Sequence, residues 1–222
     1  VKAGILHNWA WYPSAGHKIE FRNLLNQIGM NRTTEREGRE WYNNGRYIRS
    51  TESKYMNRTI YSGQLAGEHS FNDNATRIDW VAGYSFSNKN EPDIKRYRYL
   101  RDEQDTTQYY LLFSDNADLS SESQMWLKLN EDIITTSVNI VKQLDFSGFK
   151  PELRAGIYVE LKDRQFSARN FGYAKASSQS EFGVTYLPVE EIFVDENINL
   201  TDGIKLSEIT SPSDSYTASN KQ

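Results

Sequence analysis

The stretch that decides the fold runs from Ile133 to Phe171 and reads IITTSVNIVKQLDFSGFKPELRAGIYVELKDRQFSARNF. Between Leu153 and Leu161 every second residue is apolar, and the residues between them are polar, charged or glycine. This period of two is typical of a β-strand with one apolar and one polar face. The segment from Ile134 to Ile140 alternates in the same way, and Ser147-Gly148 lies between the two runs, as a turn requires. The stretch therefore predicts a β-hairpin.

Two further hairpins are predicted by the same alternation. One covers about residues 1–29, with a turn at Pro13 to Gly16. The other covers about residues 58–87, with a turn at Asn72 to Asn74. Together with the hairpin at about 124–171, they predict an all-β, antiparallel meander of about six strands. Each alternating run is about nine to eleven residues long, which is the length of a tilted strand that crosses a bilayer.

Long polar segments connect the three hairpins. They cover about residues 30–57, 88–123 and 172–222, and we interpret them as long outer loops. The first of the three can alternatively be interpreted as protruding strand ends. A compact soluble domain keeps most of its connections short. Outer-membrane barrels instead combine short turns on one side with long loops on the other. We therefore expect the meander to form part of a large transmembrane β-barrel.

Aromatic residues mark both ends of the apolar face of the second hairpin. Phe71 and Trp80 lie near its turn, and Tyr61 and Phe86 lie far from it. Membrane barrels carry two girdles of aromatic residues at the two membrane–water interfaces. The placement of these four residues is the one that such girdles require.

Composition excludes several classes of protein. The 222 residues carry a net charge of −4, which argues against a nucleic-acid-binding protein held by phosphate contacts. The chain contains no cysteine, so it has neither disulfides nor thiolate metal sites. No run of 18 apolar residues is present, and transmembrane helices are therefore not expected. Because the chain begins at Val1 without a signal peptide, we expect it to be a piece of a longer protein.

No catalytic motif is apparent. The three histidines are scattered and form no zinc-binding pair, and neither a P-loop, a Rossmann glycine pattern nor a GxSxG motif is present. Glu160 and Asp163 resemble the paired carboxylates of a glycosidase, but with Lys162 and Arg164 they form a ladder of compensating charges on a polar face. We therefore expect no enzymatic activity, no metal site and no cofactor.

Three stretches resemble TonB-dependent outer-membrane receptors of the Bacteroidetes type. They are GHKIEFRNLLNQIG at residues 16–29, LAGEHSF with RIDWVAGYSFSNKNEPD within residues 65–93, and LRAGIYVELKDRQFSARNFGY at residues 153–173. The resemblance implies a barrel of about 22 antiparallel strands with a plug in its lumen, located in the bacterial outer membrane. Such a barrel imports a scarce nutrient with energy from a TonB complex. This chain would form a middle portion of the barrel wall.

The implied partners are the lipid bilayer, the rest of the parent barrel and its plug. The TonB complex would bind through an N-terminal part that this sequence lacks, and a surface lipoprotein is a further candidate partner. In this interpretation the polar faces line the lumen and the apolar faces meet lipid. The lumen-facing candidates are Arg154, Tyr158, Glu160, Lys162, Arg77, Asp79, Glu20 and Arg22. The lipid-facing candidates are Leu153, Ile157, Val159, Leu161, Ile78, Trp80 and Tyr84, and the candidates for ligand binding in the outer loops are Tyr47 and Tyr55.

A second hypothesis explains the same alternation. In a soluble extracellular β-sandwich, the apolar faces would pack against each other between two sheets, and the loop tyrosines would bind glycans. The two hypotheses differ in the environment of Trp80, Tyr84, Ile157 and Val159. These side chains lie on the outside of a barrel wall but inside the core of a sandwich.

Overall fold

The computed structural model describes residues 1–40, 45–72, 74–104, 108–177 and 183–222, and it is all-β. Its helical segments are one short α-helix, Val189–Ile192, and two 3-10 turns, Gly183–Tyr186 and Pro212–Asp214. No helix among these residues is long and apolar enough to cross a membrane. The strands are β1 (Lys2–Ser14), β2 (His17–Arg39), β3 (Tyr47–Phe71), β4 (Thr76–Arg101), β5 (Tyr110–Leu111), β6 (Ser123–Gln143), β7 (Glu152–Lys175), β8 (Ile204–Glu208) and β9 (Tyr216–Lys221).

The nine strands form a single antiparallel sheet in the order β1-β2-β3-β4-β6-β7-β8, with β5 beside β4 and β9 beside β7. The sheet does not close on itself. The six long strands follow one another as a meander, which confirms the predicted all-β antiparallel architecture. Their three short turns lie at one end of the sheet, which we call the turn end, and the longer connections lie at the opposite end, which we call the far end.

The strands extend further than the sequence predicts. β2 and β3 stay paired from His17–His69 to Arg39–Tyr47, and β4 continues to Arg101. Residues 30–39 and 47–57 are therefore protruding strand ends, as in the alternative interpretation, and the predicted loop at 88–123 is wrong for residues 88–101. These residues lack an apolar face, but cross-strand ion pairs such as that between Glu52 and Arg96, at 2.6 Å, stabilise the ladder instead.

The segment predicted as a third loop is also partly strand. β7 extends to Lys175, and the strands β8 and β9 lie within residues 172–222. β9 pairs with β7 from Leu161–Lys221 to Phe166–Tyr216, so it occupies the position of the next strand of the meander.

Residues of the six long strands align in rows across the sheet. One such row joins, by successive cross-strand pairs, Trp9, Phe21, Leu65, Ala82, Thr136 and Val159. Neighbours in a row point to the same side of a sheet. The rows therefore join the apolar faces of the separate strands into one surface, and their polar faces into another.

The buried apolar core is small and lies at the far end. Leu111, Phe113, Ile192 and Ile204 are almost fully buried, and they pack against Tyr97, Tyr99, Tyr173 and Phe193. These contacts hold the segments after β4 and after β7 against the far ends of the two strands. Over the rest of the sheet, no second layer of the described residues covers either face.

Candidate functional site

The apolar side chains of the six long strands form one continuous surface, which we call the apolar band. It contains all seven residues predicted to face lipid, and most of its large side chains are exposed. Ile157 is 65% exposed, Trp9 66% and Tyr84 44%. Among the seven, Leu153, Val159 and Leu161 are also exposed, whereas Ile78 and Trp80 are half-buried. A soluble domain would bury such residues in its core.

The apolar band has a defined height. On β7 it extends from Leu153 to Leu161, which is roughly 27 Å along a strand that rises about 3.4 Å per residue. Towards the far end the next row contains Asp132 and Asp163, and the row after it contains Asn130. A strand tilt of about 40° reduces the height to roughly 20 Å, which is comparable to the apolar belt of an outer-membrane barrel.

Aromatic side chains with polar contacts lie at the far limit of the apolar band and in its middle. At the far limit, the hydroxyl of Tyr84 donates a hydrogen bond of 2.7 Å to a carboxylate oxygen of Asp132. In the row of Ile157, Nε1 of Trp80 donates one of 3.0 Å to Nε2 of His69, which lies one row nearer the turn end. Phe86 lies 5.7 Å from Tyr61, measured between ring centroids, at the far limit. Amphipathic rings with one apolar and one polar contact suit a boundary between an apolar layer and water.

The opposite surface carries all eight residues predicted to face a lumen. Its charges are largely compensated within the surface. Glu20 binds the ammonium of Lys18 at 2.7 Å and also the guanidinium of Arg22. On β7 the hydroxyl of Tyr158 donates a hydrogen bond of 2.6 Å to Glu160. The other four predicted members also form ion pairs. Arg77 and Asp79 lie 3.7 Å apart, Arg154 binds Glu152, and Lys162 lies 3.2 Å from Glu131.

A cleft of about 710 Å³ lies on this polar surface, beyond the far limit of the apolar band. We call it the arginine cleft, because five arginines and three glutamates line it. The sequence analysis missed it, since residues 30–39 were interpreted as loop or protruding strand ends. Apolar residues, Leu24, Ile28 and Met30, interrupt the even-numbered polar residues of β2 before Arg32, so the sequence carries no alternation that could have revealed the cleft. The lining comprises Arg32, Thr34, Arg36, Glu37, Gly38, Arg39, Glu40, Ile48, Ser50, Thr51, Glu52, Arg96, Tyr97, Arg98, Leu119, Ser120 and Ser121.

The two tyrosines predicted to bind ligand from the outer loops are strand residues. Tyr47 begins β3, and its ring lies 4.7 Å from the guanidinium of Arg101. Tyr55 is 42% exposed and lies opposite Asn31 on the same side of the sheet as the apolar band. Their placement in loops was therefore wrong, because the strands continue past the apolar band.

Glu122 is a buried carboxyl group beside the far end of the sheet. Its side chain has no exposed surface, and neither carboxylate oxygen has a hydrogen-bond partner among the described residues. Burial raises the pKa of Glu122 to about 8. The nearby backbone N–H groups of Glu122 and Arg98 lower this pKa in part, although neither forms a hydrogen bond of good geometry with the carboxylate. The group is therefore largely uncharged at neutral pH.

Among the described residues, no three histidine, aspartate or glutamate side chains are grouped so that they could hold a metal ion. No protein-family model, curated protein or solved structure matches the chain.

Proposed function

We propose that this chain is a wall segment of a TonB-dependent outer-membrane transporter that imports a scarce nutrient. The observation that carries the proposal is the apolar band, which crosses six strands in register and remains exposed. Monomeric soluble proteins rarely expose a contiguous apolar surface larger than a few hundred Å². A lipid bilayer would cover the apolar band without any further protein layer.

The polar surface supports the same function. A barrel wall has lipid on one side and an aqueous or plug-filled lumen on the other, so charges on the second side stay hydrated or paired. Glu20, Arg77 and Lys162 all lie on the side opposite the apolar band, in ion pairs. The resemblance of three stretches to TonB-dependent receptors supports the finer assignment to that family.

An open sheet requires partners at its edges, because unpaired N–H and C=O groups in a bilayer cost several kcal/mol each. Among the residues that the structure describes, β1 pairs on one side only, with β2, and the turn-end half of β7 has only β6 beside it. We propose that further strands of the same barrel pair with these two edges. A plug in the lumen, a TonB complex and a surface lipoprotein remain the proposed partners, and the bacterial outer membrane is the proposed location.

The same observation disfavours the soluble β-sandwich. A sandwich needs a second sheet over the apolar band, and the nine strands of the described residues form one sheet. The two tyrosines proposed for ligand binding, Tyr47 and Tyr55, both lie in β3 and not in a loop.

Single-cysteine labelling tests the proposal, and these 222 residues contribute no cysteine of their own to the background. Each residue from Arg154 to Lys162 is replaced by cysteine in the complete gene product, expressed in the outer membrane of a Gram-negative host. We expect odd-numbered positions to react with a lipid-phase thiol reagent and even-numbered positions with a membrane-impermeant one. Protection of all positions from both reagents would indicate a packed protein core and would refute the proposal.

A further inference from the structure

We propose that the arginine cleft binds an organic anion that carries carboxylate or phosphate groups, and that this anion is part of the imported nutrient. The inference rests on the proposed function only for the second clause, because anion binding itself can be measured on the isolated protein. Its chemical basis is a local excess of two positive charges, from five arginines and three glutamates, in a chain whose net charge is −4.

The cations of the arginine cleft differ in their partners. On β4, Arg96 binds Glu52 at 2.6 Å and Arg98 binds Glu40 at 2.6 Å, so both guanidinium groups are held in place. On β2, Arg32 and Arg36 make no hydrogen bond, ion pair or ring contact with any of the described residues. Their side chains are exposed and retain all of their N–H donors. Arg32 and Arg36 are therefore available to a ligand.

The register gives the arginine cleft a specific geometry. Arg36 on β2 lies opposite Ser50 on β3, and Ser50 lies opposite Arg98 on β4. Strands are spaced about 4.8 Å apart, so the two arginines stand roughly 10 Å apart with a hydroxyl group between them. Thr34, Glu52 and Arg96 form the next row. Guanidinium groups bind carboxylates and phosphates with paired hydrogen bonds, and an anion between the two arginine strands meets both.

The hydroxyl groups indicate that the ligand is also polyhydroxylated. Thr34, Ser50, Ser120 and Ser121 line the same cleft, and its volume of about 710 Å³ lies within the range of small-ligand sites. Tyr97 is the one aromatic residue in this lining among the described part of the chain. An acidic or phosphorylated sugar matches this lining, whereas a flat apolar ligand does not. Lipid phosphate is not the proposed ligand, because the arginine cleft faces away from the apolar band.

Binding to the complete protein, purified in detergent, tests the inference. Isothermal titration is carried out with a trisaccharide of galacturonate, with glucose 6-phosphate and with neutral maltotriose. We expect one or both anionic probes to bind and maltotriose not to bind. Arg32→Gln and Arg36→Gln should each raise the Kd of the bound anion about tenfold, the effect of one charge-assisted hydrogen bond. Arg36→Lys retains the charge and should raise it less than Arg36→Gln.

Arg58→Gln is the matched control. Arg58 is an exposed arginine on the polar surface of β3 but lies outside the arginine cleft, where its guanidinium contacts Ser87. We expect the Kd of the bound anion for the Arg58→Gln variant to stay within twofold of that for the unchanged protein. Binding of neither anion, equal binding of maltotriose, or an unchanged Kd in the Arg32→Gln/Arg36→Gln double variant would overturn the inference. Cysteine labelling distinguishes such a failure from failure of the proposed function, because it reports on the wall and not on the ligand.

Discussion

Gly67 of β3 lies directly opposite Trp80 of β4, and the indole ring of Trp80 covers it. A Cβ atom at Gly67 would overlap Nε1 of this ring, the atom that donates the hydrogen bond to His69. Glycine is therefore needed at this position for a close approach and not for a turn. The arrangement holds one aromatic ring flat against the sheet in the middle of the apolar band, in the row of Ile157.

We expect Gly67→Ala to destabilise the protein, because the added methyl group displaces Trp80 and breaks its hydrogen bond with His69. The expected loss in the free energy of unfolding is about 1–3 kcal/mol, the usual cost of overpacking. Urea unfolding in lipid vesicles measures it. Gly38→Ala is the matched control, since no atom lies within 4 Å of a Cβ built at Gly38 in β2. Equal stability of the two variants would contradict the close contact between Gly67 and Trp80.

The extent to which the sequence predicts this structure depends on the apolar pattern. Between Leu153 and Leu161 the alternation predicts the strand and both of its faces, because each apolar residue there lies in the apolar band. From Arg32 to Arg39 both faces are polar, and a period of two is not visible in hydropathy. The strand persists there because β3 provides backbone partners and opposite charges, which are long-range features. The arginine cleft could not be predicted for the same reason.

The aromatic pattern shows a similar limit. The prediction that Tyr61, Phe71, Trp80 and Phe86 share one face is confirmed by the register of β3 and β4. Two features of β3 position Trp80. His69 accepts a hydrogen bond from its indole, and Gly67 has no side chain and so leaves room for the ring. Single-sequence periodicity identifies a face, but it does not identify which neighbours meet on that face.

Arginine substitutions at two adjacent residues of β7 are expected to differ in their effect on the free energy of unfolding. Ile157 lies at the middle of the apolar band, and Tyr158 lies on the polar surface. Ile157→Arg should lower the free energy of unfolding in vesicles by about 2–4 kcal/mol, the cost of a cation near the bilayer midplane. Tyr158→Arg should change it by less than about 1 kcal/mol. Equal tolerance at both positions would argue against lipid contact at Ile157.

Glu131 of β6 links neighbouring strands towards the far end of the sheet. Its carboxylate lies 3.2 Å from the ammonium of Lys162 and accepts a hydrogen bond of 2.6 Å from Nε of Arg164. Because the side chain of Glu131 is only 14% exposed, its two partners would be left partly desolvated without it. We expect Glu131→Gln to lower the free energy of unfolding by about 1–2 kcal/mol.

Glu152→Gln is the control for this ion-pair network. Among the described residues, Glu152 pairs only with Arg154 of its own strand, near the turn, where the arginine side chain is 72% exposed. Exposed ion pairs of this kind contribute about 0–1 kcal/mol to the free energy of unfolding. Urea unfolding of both variants at low and high salt measures the difference. A loss for Glu152→Gln that equals the loss for Glu131→Gln would show that partial burial is not the cause.

The burial of Glu122 makes stability depend on pH. Its pKa is 4.5 in an unfolded chain and about 8 in the folded protein, so between these values the folded state holds a proton that the unfolded state has released. The unfolded state then binds fewer protons, and stability falls as the pH rises from about 4.5 to about 8. Above that range both states are ionised and the effect is complete.

We expect Glu122→Gln to remove this dependence, because the amide is uncharged at every pH. The variant should melt at a higher temperature than the unchanged protein at pH 8.5 and within about 2 °C of it at pH 4.5. Thermal unfolding at these two pH values, followed by circular dichroism in detergent, measures the difference. Glu103→Gln is the control, since Glu103 is a half-exposed partner of Arg39 at the same end of the sheet. A Glu122→Gln variant with an unchanged pH profile would mean that the carboxyl group is hydrated, and the buried position of Glu122 against β4 and β7 would then be wrong.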